Sequence, residues 1–173
     1  MTSKTEKKIS ELIEIIAAAG GELVGRTRLQ KTACLLEIAG LGSGYDFRYK
    51  HYGPYSEELA SAASIAPLFD DFKEEKRRSS WGGTYSVFRT GAAYHGNDDD
   101  PFKQIVEIAK DADPVVLELA ATAAFLAKEG HSDPWSETAK RKPEKISSGR
   151  LDRARDLYAR LKGVPVPREF PDL

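Results

Sequence analysis

The sequence predicts a mainly α-helical chain of the α+β class, on three observations. Apolar residues recur at helical spacing behind recognisable capping residues along most of the chain. Phe72 to Thr90 breaks that pattern with two extended arms around Trp81-Gly82-Gly83, a hairpin signal. A polar stretch ending in Asp98-Asp99-Asp100 then divides the chain into an N-terminal unit over residues 1–92, a helical subdomain over 101–163 packed on it, and a proline-rich tail over 164–173.

Each element has a local reason. Ser3 and Glu6 have the spacing of a capping box, and Ile9, Leu12, Ile13 and Ile16 follow at i, i+3, i+4 and i+7, so a helix is expected over 4–19. Leu23 and Val24 suit a brief extended piece before a second helix over 28–39, for which Thr27 and Gln30 read as a second capping box and Gly40 as the stop. Tyr45, Phe47 and Tyr49 alternate with polar residues, the period of an extended segment, until His51-Tyr52-Gly53-Pro54-Tyr55 interrupts it as a turn. Ser56 caps a third helix over 56–66, with Glu57 and Glu58 at its positive end.

In the second half, Pro101 opens a helix to about Lys110, and Asp113-Pro114 and Asp133-Pro134 each set a capping carboxylate before a proline at the first helical position. Residues 114–128 are apolar on nearly every face and mark the centre of the second half. Pro143 ends the next helix, and Gly149 precedes a last one through Leu161.

The chain has 173 residues, 40% of them hydrophobic, and a net charge of −1, which gives no global basic field for nucleic acid. No apolar run reaches the roughly 20 residues a membrane span needs, and the charged amphipathic N-terminus does not look like a signal peptide, so a cytoplasmic protein without a membrane partner is expected. Cys34 stands alone, which excludes an internal disulfide and a thiolate zinc cluster. His51, His95 and His131 have no metal-binding spacing, and neither a phosphate loop nor a nucleophile elbow is present. No cofactor, metal or enzymatic activity is expected.

Helix, short strand, helix, helix, hairpin is the order of a winged helix-turn-helix, in which the third helix reads DNA and the wing touches phosphates. Here the third helix carries Glu57 and Glu58 and no Arg or Lys. The candidate nucleic-acid-binding residues are therefore Lys76, Arg77 and Arg78 on the wing with Arg26, Arg28 and Lys31 near the second helix start. A second basic region over 140–162 holds nine basic residues against three acidic ones, an excess that the acidic stretch over 98–118 is able to satisfy internally. Trp81 is expected to pack the hairpin onto the third helix.

Arg28-Leu29-Gln30-Lys31, followed by Tyr52-Gly53-Pro54-Tyr55-Ser56 and Leu59, resembles two related bacterial groups: the YwgA-like family, and the Panacea (SocA-like) antitoxin and proteolytic-adaptor domain. Tyr45-Asp46-Phe47 and Lys142-Pro143 also suit the YwgA-like pattern, whereas Ala33 and Cys34 stand where the Panacea pattern has aromatics. The resemblance implies that Leu29 is core, that Gln30 is a cap, and that Tyr52-Gly53-Pro54 shapes a partner surface. The expected function is a non-enzymatic protein-interaction module using His51, Tyr52, Gly53, Pro54 and Tyr55. Its partner is another protein, by resemblance a toxin or a protease substrate. DNA-binding regulation is the alternative, and pairing with a second copy stays open.

Overall fold

The computed structural model describes residues 3–69 and 71–173. It is an α+β fold in the order α1 (Lys4–Ala18), β1 (Glu22–Val24), α2 (Arg26–Ile38), β2 (Arg48–Lys50), β3 (Gly53–Tyr55), α3 (Glu57–Ile65), β4 (Lys73–Arg78), β5 (Thr84–Arg89), α4 (Pro101–Asp111), α5 (Pro114–Lys128), α6 (Pro134–Arg141) and α7 (Arg150–Lys162), with a 3₁₀ turn at Ala66–Leu68 after α3. None of these helices is long and apolar enough to cross a membrane.

Most helix starts are where their capping residues put them. The Ser3 hydroxyl and the Glu6 carboxylate form a reciprocal box at α1, Ser56 caps α3, and Asp100, Asp113 and Asp133 accept the first free amides of α4, α5 and α6. Helix α2 departs from expectation. It begins at Arg26 after Gly25, no side chain caps it, and the Thr27–Gln30 box does not form, because Gln30 is drawn inward to a different backbone.

Strands β4 and β5 form the expected hairpin, and β1 joins the free side of β5 in antiparallel register, with Leu23 opposite Phe88, to give a three-stranded sheet in the order β1-β5-β4. Phe88 and Phe72 stack beneath it with ring centroids 5.9 Å apart. A second, two-stranded ribbon changes the reading of residues 51–55. Only His51 and Tyr52 form the connection, and Gly53–Tyr55 is a strand paired with Arg48–Lys50.

Helix α5 lies at the centre, packed against α2, α6, α7 and β3. The side chains buried around it belong to one contiguous core that runs from Ile9 and Leu12 of α1 to Leu161 of α7, so the segments on either side of the Asp98–Asp100 linker share a single interior. The tail closes it. Phe170 is buried edge-on to Tyr158, which in turn meets Trp135 edge-on, and the Tyr158 hydroxyl donates to the Pro171 carbonyl.

Candidate interaction surface

The ribbon β2–β3 is held from below by polar groups that the core surrounds. The Gln30 amide accepts from the Ser56 N–H at 2.8 Å and donates to the Ser56 carbonyl at 3.0 Å, as a neighbouring strand would. One turn position on, Lys31 is 1% exposed and its ammonium donates to the Pro54 carbonyl at 2.7 Å. Together these bonds tie α2 to the end of β3 and to the cap of α3.

From the other side, Lys142, 2% exposed, reaches the Glu118 carboxylate at 2.9 Å and the His51 carbonyl at 3.4 Å. Lys145 donates to both oxygens of Glu118, at 2.8 and 2.7 Å, and Glu118 is itself 3% exposed. Buried charges are tolerated only when paired and hydrogen-bonded, and these are. Burial pushes Lys31 down to about 8; Glu118 and Cys34 oppose that shift, while Lys142 and Lys145 add to it. Part of the basic stretch over 140–162 is thus satisfied by the acidic stretch before it.

Gly53 is required at the base of the connection. Its φ is +85°, and a Cβ there would sit 2.4 Å from the Thr122 hydroxyl oxygen of α5. The result is a ribbon fixed at its stem, with the side chains of its tip exposed. Gly53 and Pro54 are buried, Tyr55 is half-buried, His51 is exposed, and Tyr52 is 63% exposed. Each ribbon tyrosine carries a cation over its ring: Arg141 over Tyr49 at 4.5 Å, Lys145 over Tyr52 at 4.8 Å and Lys50 over Tyr55 at 5.1 Å.

The six basic candidates do not converge. Lys31 is interior, its ammonium folded onto the Pro54 carbonyl, so it is not on a surface that a duplex could touch. Arg28 donates to the carbonyls of Ala109, Lys110 and Ala112, closing the C-terminal end of α4. Arg26 pairs with Glu74 at 2.6 Å and Arg77 with Glu75 at 3.2 Å, whereas Lys76 and Arg78 are exposed. On α3, Glu58 pairs with Lys8 and Glu57 with Lys50. Trp81 does not dock on α3. It is 76% exposed and lies over Gly83 at the hairpin tip.

Among the described residues no group of three His, Cys, Asp or Glu side chains is placed to hold a metal ion. Burial pushes the Cys34 thiol up to about 12, so it is not a nucleophile at neutral pH. The buried set Lys31, Glu118 and Lys142 was not legible as a cluster, since isolated lysines in polar stretches read as solvated. The chain matches no protein-family model, and no curated protein or solved structure matches it.

Proposed function

We propose that this chain is a non-enzymatic protein-interaction module of the cytoplasm, of the antitoxin, proteolytic-adaptor or regulatory kind implied by its resemblance to the YwgA-like and Panacea groups. Its contact surface is the ribbon tip, His51 and Tyr52, with Tyr55 beside it. The observation that carries this reading is Tyr52, 63% exposed at the end of a hairpin that Lys31 fastens at Pro54 and Lys142 at the backbone of His51. A tyrosine gives large contact area, and a stem already ordered removes much of the entropy cost of fixing a loop on binding.

The test is affinity capture from the native cell by the unaltered chain and by His51→Ala and Tyr52→Ala variants with matched thermal unfolding. One protein retained by the unaltered chain and lost by the folded variants supports the surface; equal retention overturns it.

The sheet β1-β5-β4, with β1 between the first two helices and the β4–β5 hairpin after the third, favours a second reading, a winged-helix-like N-terminal unit that binds DNA through Lys76, Arg77 and Arg78. The acidic α3 and the internal engagement of Arg26, Arg28 and Lys31 weigh against it. Absence of binding to duplex DNA at about 50 mM salt, where phosphate contacts are strong, would remove it.

A further inference from the structure

A pocket of about 270 Å³ opens beside the ribbon, between α2, α3 and the β4–β5 hairpin. Leu29, Leu59, Ala63 and Phe88 give it an apolar lining, Tyr52 and Tyr55 border it, and Lys31 forms part of its wall. We infer that it binds a small organic acid, a carboxylate on a short apolar or aromatic body, with the carboxylate on the Lys31 side and the body against Leu29, Leu59 and Phe88.

Size limits the ligand first. At about 30 Å³ per water in the liquid, the pocket has room for roughly nine waters, so a body of benzoate size fits. Charge then selects its sign. Arg26 and Glu74, both in the lining, pair with each other, and Ser86 adds a hydrogen bond to Glu74. Behind the Lys31 wall, among the described residues, Lys142 and Lys145 both pair with Glu118, and Lys31 adds a third positive charge that feels the same carboxylate. An anion in the pocket offsets that excess, whereas a neutral ligand leaves it as it is.

This inference is independent of the partner proposed above. It rests on the pocket and on the charges behind it.

The full chain is titrated with sodium benzoate at pH 7 and followed by amide chemical shifts, with benzamide as the neutral analogue of the same shape. Saturable shifts at Leu59 and Ala63 are expected, with a Kd of about 1 mM, ordinary for nine heavy atoms. Benzamide should bind about tenfold more weakly, because it lacks the charge-assisted interaction. Ala60→Phe, which fills the rim from half-exposed α3, should abolish the shifts without changing thermal unfolding. Lys31→Met should weaken binding about tenfold. Should that variant unfold, the Ala60→Phe and benzamide arms decide alone. Raising the pH from 7 to 9.5 should also weaken binding as Lys31 loses its proton beside Glu118, Lys142, Lys145 and Cys34. No saturation by about 20 mM benzoate, twenty times the expected Kd, equal affinity for benzamide, or full binding by Ala60→Phe each overturns the inference.

Discussion

Replacing Glu11 by Gln should remove a pH dependence of stability that this one carboxyl imposes. Glu11 is buried on α1, one oxygen accepts from the Ser43 N–H at 2.8 Å, and the other has no hydrogen-bond partner among the described residues. Burial pushes its pKa up to about 7 from an ordinary 4.5; the Ser43 bond opposes the shift, and the Glu37 and Glu14 carboxylates add to it. Because the folded-state value is the raised one, the protonated form is favoured on folding. The group's contribution is fully present below about pH 4.5 and is lost as the pH rises through 7. A shift of this size corresponds to about 3 kcal/mol, or roughly 10 °C in Tm for a chain of this length. Gln keeps the acceptor for Ser43 and cannot ionise. Urea unfolding of both proteins from pH 4.5 to pH 8.5 should therefore show the unaltered chain losing about 3 kcal/mol relative to Glu11→Gln, with the variant the more stable at the alkaline end. Lys31, which titrates near the top of this range, is common to both chains and cancels in the difference. Parallel profiles across the range would refute the reasoning.

Gly53→Ala should destabilise the chain by roughly 2–4 kcal/mol in denaturant unfolding, from positive φ plus the close approach to Thr122. Adding Thr122→Ala should recover the steric part, because the Thr122 Cβ lies 3.6 Å from the new methyl, an ordinary contact. Lys142→Met should cost about 3–5 kcal/mol, since it removes a buried partner of Glu118. The double variant Lys142→Met/Glu118→Met should be more stable than the single one, and a double-mutant cycle measures the difference. Arg28→Lys should lower stability by about 1–2 kcal/mol, read by thermal unfolding, because one ammonium cannot reproduce the guanidinium's bonds to three carbonyls of the α4 end.

The sequence by itself determined where most of the helices begin. Ser3 with Glu6, Ser56, Asp100, Asp113 and Asp133 begin helices because a capping side chain and the amides it satisfies lie within three residues of each other. The apolar character of 114–128 likewise announced the most buried helix. Where two local readings were available, tertiary structure chose. Gln30 had the spacing of a cap, yet the strand end at Ser56 takes its amide, and Gly53-Pro54-Tyr55 had the composition of a turn, yet pairing with Arg48–Lys50 makes it a strand. The pairing of β1 with β5, the burial of Lys31 and Lys142 around Glu118, and the pocket beside Tyr52 and Tyr55 depend on segments distant in the chain. No local period records them, because a lysine has the same sequence signature in water and against a buried carbonyl. Its environment is fixed only when the elements around it have packed.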